Sequence, residues 1–372
     1  MRPIRIGLFQ RETSPVDGGA DTLLRMVGAR LASLPAGEAV ELVPVPWAEW
    51  SYRRQPFRQV RVRLARWLGE EIPWADVRPV CDDRRLDAAY FEAPAFVEIT
   101  VPFIMAQWDV GHRTIPDFPE VRSGRDSWAQ REAIARRMLP QASAVIVGNR
   151  TGADEVVELC GVRRDRVAVL PFPNPDFPAA TVPDWLPAGP FFLYPAQAWP
   201  HKNHVTLLHA LLVLKQGSVA ANLVLVGSDK GNLGHLRATA EALGVADRVH
   251  FGGFVSRAEL RALYERAAAL AFASLLGPNN LPPQEAAVLG CPMILSDLPG
   301  HREQLGGGAL YAPPLQPVAW AHAMQQILAD AALRAKLVAA ARQAIAPCTL
   351  ENYVAGLGGL FAELALRRRL WA

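Results

Sequence analysis

Cysteine is scarce in this chain. The four that occur, Cys81, Cys160, Cys291 and Cys348, lie far apart with no C-x-x-C pair. That excludes a disulfide framework or a zinc site of ordinary spacing and leaves buried free thiols. Long apolar runs are missing as well. The longest nearly apolar stretch, Ala267 to Leu276, covers ten residues, about half of what a bilayer span requires. The beginning, Met1-Arg-Pro-Ile-Arg-Ile-Gly-Leu-Phe, enters a strand-like pattern with no extended apolar h-region or small-residue cleavage site, so the expectation is no signal peptide and a cytoplasmic protein. Net charge is small at +3, too little to imply nucleic acid. Disorder and coiled coil are excluded by 51% apolar and 20% charged residues. No repeat of solenoid period occurs.

What is present is organised in two halves. A chain of 372 residues is long enough for two domains of roughly 100–200 residues each. Between Pro171 and Pro190 stand seven prolines in twenty residues, incompatible with a helix or an interior strand. On either side, short β-branched runs alternate with helical patterns, the signature of parallel sheets with crossover helices. Before the prolines the pattern predicts strands at Ile4–Phe9, Val40–Val45, Pro102–Trp108, Ala144–Val147 and Val167–Leu170, with helices near Ala20–Leu34, Trp128–Met138 and Ala153–Leu159. After them it predicts strands at Phe191–Tyr194, Leu223–Val226, Val249–Phe251, Leu270–Ala273 and Met293–Leu295, with helices near His204–Lys215, Leu236–Leu243, Ala258–Ala267 and Pro283–Leu289. The expected fold class is α/β, with two Rossmann-like doubly wound domains. Their spans are 1–170, a proline-rich linker 171–190, a second domain 191–348, and a helical end 349–372 that can cross back to the first domain. The charge is also concentrated. Residues 51–71 hold six arginines against Glu70 and Glu71, so the rest is almost neutral. Phe57, Val60, Leu64 and Trp67 fall on one helical face there, a pattern that fits either an interfacial helix on an anionic membrane or a solvated basic face packed on its own domain.

Doubly wound sheets bind ligands outside the carboxyl ends of their strands, and three such loops carry polar residues. Gly277-Pro-Asn-Asn-Leu-Pro-Pro-Gln-Glu285 opens a helix whose first turn holds two prolines, where a missing N–H costs nothing. Its N–H groups at Asn280 and Leu281 form an anion site, with Glu285 placed to accept from hydroxyls such as a ribose diol; an ordinary helix start with a dipole-matched glutamate fits equally. Lys202, just before the expected N-cap Asn203, suits a diphosphate, or is a solvated surface lysine. His201, His204 and His209 have poor spacing for a metal on one helix face. Asp109 and His112 end a first-half strand, positioned for a reacting sugar or for loop capping. Gly18-Gly19 permits close backbone approach but is not G-x-G-x-x-G, which weakens a dehydrogenase reading.

These segments resemble the retaining glycosyltransferases of the GT-B fold, family 4, across nearly the whole chain. The likeness is strongest over the Lys202-Asn turn, Leu-Val-Leu-Val-Gly227, Val249-His-Phe-Gly-Gly-Phe254, Leu281-Pro-Pro-Gln-Glu285-Ala and Gly290-Cys-Pro-Met-Ile-Leu-Ser296. Gly18-Gly19, Trp108-Asp109-Val-Gly-His112 and Leu170-Pro-Phe-Pro-Asn-Pro-Asp176 resemble first-domain landmarks. The resemblance implies two domains facing across a cleft, the first on the acceptor side and the second binding a nucleotide-sugar donor. It implies transfer of a sugar with retention to a glycan or lipid-linked acceptor, without a metal or other cofactor and without nucleic acid. Mannose or a deoxyhexose such as rhamnose is the expected sugar, surface polysaccharide the expected product, and the inner membrane face the expected location. Glu285 matches the second glutamate of E-x7-E, which binds the donor ribose, and Lys202 the lysine on the diphosphate. Phe254 resembles the nucleobase loop, Asn280 and Leu281 fall at the phosphates, and Asn279 belongs to the donor-binding set. Gly18, Gly19 and Gln197 join the donor set. His112, Asp109 and Lys202 form the expected catalytic set. Two departures stand out: the first glutamate of E-x7-E falls at Gly277, and the arginine that usually partners the lysine falls near Ala196, with Gln197 beside it. They leave open a catalytically dead nucleotide-sugar-binding relative, or a GT-B sugar-nucleotide epimerase.

Overall fold

Strand-forming runs in both halves are almost continuously apolar, as parallel sheets covered on two faces require. Ala-Ala-Tyr-Phe at 88–91, Phe-Ile-Met-Ala at 103–106 and Ala-Val-Ile-Val at 144–147 are buried at every position. The computed structural model describes residues 2–12, 14, 19–33, 39–50, 75–122 and 128–370. The arginine segment 51–71 lies outside them, as does Gly18. The chain divides into two units, one of Met1–Ser14, Ala20–Pro173 and Thr349–Ala372, the other of Pro15–Gly19 and Asn174–Cys348. Each contains a six-stranded, wholly parallel sheet with helices.

In the first unit the strands are β1 (Ile4–Phe9), β2 (Val40–Val45), β4 (Ala88–Phe91), β6 (Phe103–Ala106), β7 (Ala144–Val147) and β8 (Val167–Val169), in the order β2-β1-β4-β6-β7-β8. Two-residue strands β3 (Ala75–Asp76) and β5 (Val97–Glu98) pair separately. Pro44 lies within β2, an edge strand, where a missing N–H is tolerated. Helices α1 (Gly19–Ala32), α2 (Gly111–Thr114), α3 (Trp128–Ala133) and α4 (Arg150–Cys160) follow β1, β6 and β7. Asn149 caps α4 by accepting from the Gly152 N–H at 2.9 Å.

The second unit runs β9 (Phe191–Pro195), α5 (His204–Gln216), β10 (Asn222–Val226), α6 (Leu233–Ala242), β11 (Val249–Gly253), α7 (Arg257–Arg266), β12 (Ala269–Phe272), α8 (Leu281–Leu289), β13 (Met293–Ser296), α9 (Pro299–Leu305), β14 (Leu310–Ala312), α10 (Pro317–Ala329) and α11 (Ala331–Ile345). Its order, β11-β10-β9-β12-β13-β14, reverses between β9 and β12, the place where such sheets open a crevice. Fully buried Phe192, Tyr194, Phe272 and Trp320 fill the core. Residues 171–190 contain no helix or strand. Phe177 and Leu186 from that segment pack on the second unit's core.

The last helix, α12 (Leu350–Arg368), is capped by Thr349 Oγ1. It belongs to the first unit, where Phe361 packs edge-on against Tyr90 with ring centroids 5.6 Å apart. Strand β4, at the centre of the first sheet, and β14 fall outside the strand pattern expected from the sequence. Among the described residues no helix is long and apolar enough to cross a membrane. Truncating Phe361, 3% exposed, to alanine is expected to cost the first unit about 3–5 kcal/mol. Urea unfolding of the Phe361→Ala protein checks this as a lower midpoint for the first unit's transition.

Candidate functional site

The chemistry-bearing loops of the second unit leave the sheet where its strand order reverses. After β9 the chain makes a tight turn over Pro200–Lys202 and enters α5. Lys202 Nζ donates to Ser274 Oγ at 3.3 Å and lies 5.2 Å from the centroid of Phe272, so the lysine from the β9 loop stands on the end of β12. Asn203 was expected to cap α5. Instead it takes a left-handed conformation, φ 55°, and its side chain makes no cap bond. Its amide donates to the carbonyls of Ala273 and Pro314 at 3.2 and 2.8 Å and accepts from Thr206 Oγ1 at 2.8 Å. His204, buried beside Tyr194, is pushed down to about 3 by burial and by Lys202. Gln197 Oε1 accepts from Trp199 Nε1 at 2.7 Å, and Lys230 lies over that indole at 5.6 Å.

The loop after β12 leads into α8. Pro282 and Pro283 remove two donors from its first turn, and no acceptor among the described residues takes the Leu281 N–H. The Asn280 N–H, by contrast, is engaged at 3.4 Å by Gln304 Oε1. Of the two donors expected here, one is therefore already occupied. Asn279 Oδ1 is buried and meets no donor among the described residues. One turn into α8, Glu285 is 5% exposed. Its Oε1 accepts from Arg257 Nη1 at 2.9 Å and its Oε2 from the Tyr264 hydroxyl at 2.9 Å. Each oxygen keeps a further lone pair for an incoming hydroxyl. The same arginine stacks over Phe177 at 4.0 Å and donates to the Asp176 carbonyl at 2.7 Å. Phe254, just past the half-buried edge strand β11, is 54% exposed.

In the first unit, the exit of β6 holds Asp109 and His112. Asp109 Oδ1 accepts from the Gly111 N–H at 2.8 Å, shaping the entry to α2, and lies 3.5 Å from Arg131 Nη1. His112 is 2% exposed, with Nε2 3.2 Å from Glu132 Oε2. Burial holds this imidazole below its ordinary value, with Arg113 and Arg131 adding to the effect and Glu132 opposing it. Glu132 is clamped by Arg113 at 2.8 and 2.6 Å, which keeps its carboxyl below the usual range. Arg11, Gln107, Trp108, Asp109, His112 and Arg131 line a cavity of about 130 Å³. The Trp108 Nε1 and Gln107 Oε1 atoms there are buried and find no partner among the described residues. Gly19 opens α1 and groups with the second unit.

Of the expected residues, Lys202, Asn279, Asn280, Leu281 and Glu285 lie on the two loops and the helix at one strand-order reversal, while Asp109 and His112 share the first unit's cavity. Sequence reasoning missed Arg257, Tyr264, Glu132, Lys230, His301 and Gln304. None has a local motif, because the partners of Arg257 and Tyr264 are 28 and 21 residues away. The one available signal was Ser256-x-x-Glu259, a capping box that sets the start of α7 and hence the position of Arg257.

Residues 185–344 match the family model for glycosyl transferases group 1. The chain is 35% identical over 138 residues to the O-antigen chain mannosyltransferase RfbU of Salmonella typhimurium, covering 37% of this chain and 38% of that protein. It is 27% identical over 254 residues to the D-inositol 3-phosphate glycosyltransferase of Xylanimonas cellulosilytica, covering 62% and 60%. The matches thus span less than two thirds of the length of either relative. Among solved structures, sucrose-phosphate synthase from Thermosynechococcus elongatus superposes with a TM-score of 0.69 at 18% identity, over 97% of this chain and 99% of that one. Anabaena HepE in complex with UDP superposes with a TM-score of 0.64 at 16% identity, over 97% and 100%. At these identities the structures speak for the fold alone.

Glu92, at the carboxyl end of β4, is 7% exposed and accepts from the Arg11 N–H at 3.1 Å. Burial raises it from 4.5 to about 7, and Glu155 is raised equally far by burial and Asp109. The unfolded chain releases these protons near 4.5 and the folded chain only near 7. Stability is therefore expected to fall as pH rises through that window and to level off above it. Thermal unfolding at pH 5 and pH 7.5 should show a smaller fall in Glu92→Gln, with the Glu155 share retained.

Proposed function

We propose that this chain, a member of the glycosyl transferases group 1 family with a GT-B fold, is a retaining glycosyltransferase that moves a hexosyl or deoxyhexosyl unit, mannose or rhamnose, from a nucleotide-sugar donor to a glycan or lipid-linked acceptor of a surface polysaccharide. The observation that carries the reading is Lys202 Nζ set 3.3 Å from Ser274 Oγ, on the loop that runs into the open N-terminus of α8. A lysine, a helix dipole and an unclaimed N–H are the groups a nucleoside diphosphate requires. Their value rises as the diphosphate leaves and its charge grows. The likeness to RfbU, an O-antigen chain mannosyltransferase, supports mannose and a polysaccharide acceptor, and the UDP held by HepE supports a nucleotide donor.

On this reading the donor diphosphate lies against Lys202, Leu281 and Asn279, the ribose against Glu285, and the base beside Phe254. Arg257 and Tyr264 hold the Glu285 carboxylate in place for the ribose diol. In the reaction the bond between the anomeric carbon and the diphosphate oxygen breaks. The acceptor oxygen bonds to the same face, and its proton passes to the departing diphosphate. Lys202 and the helix end supply the positive charge that a metal supplies elsewhere. In the first unit His112, buried with Nε2 3.2 Å from Glu132 Oε2, is the side chain to which the family resemblance assigns a sugar contact. Residues 51–71, by their arginines and one apolar face, would meet the anionic inner face of a membrane near a lipid-linked acceptor.

Lys202→Ala and Glu285→Ala are each expected to lower sugar transfer at least about a hundredfold. Near wild-type turnover in both would remove the assignment. A thermal-shift screen of GDP-, UDP- and dTDP-sugars identifies the donor, since a bound ligand raises apparent stability. Co-sedimentation of the chain with anionic but not neutral liposomes is expected, and indifference to lipid charge would sink the membrane role.

A further inference from the structure

The loop that enters α8 is buttressed from behind by α9. Gly300, second in α9, approaches so closely that a Cβ there would stand 2.1 Å from the Pro278 carbonyl oxygen. Gln304, one turn on, brackets the Asn280 peptide, accepting from its N–H at 3.4 Å and donating to its carbonyl at 2.7 Å. Between them His301, 0% exposed, has Nδ1 2.8 Å from the Ser296 carbonyl and Nε2 3.1 Å from Asn280 Nδ2. A carbonyl only accepts, so Nδ1 carries the proton and Nε2 of the neutral ring is an acceptor. Burial and the nearby Lys202 push this imidazole down to about 4, which keeps it neutral. Asn280 must then present its NH2 to the ring. The same NH2 lies 3.3 and 3.5 Å from the carbonyls of Gly277 and Leu276. Every protein group around that nitrogen is an acceptor.

The amide is thereby turned one way, and its Oδ1 accepts from no donor among the described residues. An N-cap asparagine ordinarily uses that oxygen on the first turn of its own helix; here it makes no cap bond. The amide also fills a place. Gly277 has φ +121°, and a Cβ there would fall 2.4 Å from Asn280 Nδ2 and 2.8 Å from its Oδ1. Asn280 thus occupies the space of a side chain at 277, the position where the resembling family carries the first glutamate of E-x7-E.

We propose that Asn280 Oδ1, left without a donor because His301 and two carbonyls take the amide NH2, and carried on a peptide that Gln304 fixes, is the hydrogen-bond acceptor that reads a hydroxyl on the sugar of the nucleotide-sugar donor, in place of a carboxylate at 277. Asn280 is then a specificity-determining residue, and His301 and Gln304 are positioning residues. This rests on the reading of the second unit as the donor site. The sugar is met by a neutral acceptor whose direction is set by a buried ring 21 residues away.

Calorimetric titration of the full chain with UDP and UDP-glucose, and with GDP and GDP-mannose, separates the two claims. The quantity read is the sugar increment, the ratio of nucleotide-sugar affinity to bare nucleotide affinity. Asn280→Ala is expected to lower it about five- to tenfold, the worth of one neutral hydrogen bond, while bare nucleotide affinity stays within about twofold. Gln304→Ala and His301→Ala are expected to lower it less, in the same direction. Asn280→Ala alone decides the matter if the buried His301→Ala change disturbs folding. An increment absent in the wild type, unchanged in Asn280→Ala, or lost together with an equal loss for the bare nucleotide overturns the inference. Failure of the wild-type chain to bind any nucleotide overturns the donor reading itself.

Discussion

The second unit's site depends on one buried amide. Asn203 reaches from the end of the β9 loop to the carbonyl that closes β12 and to Pro314 beyond β14. Three loops that leave the sheet separately are joined at that point. Removing the side chain would strand the buried Ala273 acceptor, at a cost of about 1–3 kcal/mol, and release the half-buried Pro314 carbonyl. It would also release the turn that sets Lys202 on Ser274. The left-handed backbone at Asn203 fits the same purpose, because asparagine adopts it more readily than most residues. The lysine supplies the charge, but the neighbouring asparagine decides where that charge stands.

Around Glu285 the arrangement is electrostatic. A carboxylate this buried needs partners, and a buried pair is strongly destabilised when one partner is removed. Arg257 meets the need with one end of its guanidinium and grips the Asp176 carbonyl with the other. Arg261, one turn along α7, grips the Pro178 carbonyl at 3.0 Å. The proline-rich segment is therefore sewn to α7 from Asp176 onward. A stretch without regular structure is held by side chains and by backbone bonds, from the Thr181 N–H to the Ala258 carbonyl and from the Asn222 N–H to the Pro190 carbonyl.

Much of this was legible before the structure. Runs such as Phe191–Tyr194 and Met293–Leu295 announced buried parallel strands because burial on both faces demands unbroken apolar sequence. Pro282-Pro283 marked a helix start because only a first turn tolerates missing donors. Strand β4 was hidden: Ala-Ala-Tyr-Phe is short and has no β-branched residue, and it is a strand because β1 and β6 flank it. Asn203 read as a cap, since its residue type favours caps, yet its amide is spent on tertiary bonds. Arg257, Tyr264 and His301 were invisible for a similar reason. Their partners lie a helix and a strand away, and no spacing rule reaches across a sheet.

The double proline at the head of α8 has a consequence beyond its missing donors. Proline fixes its own φ near the helical value. Pro282 and Pro283 therefore hold nearly their final φ angles whether or not a ligand is present. An anion arriving at the Leu281 N–H has little chain left to order, and little of its binding energy is lost to entropy. A flexible glycine-rich cradle would have to be stilled on each encounter, whereas this one is already still.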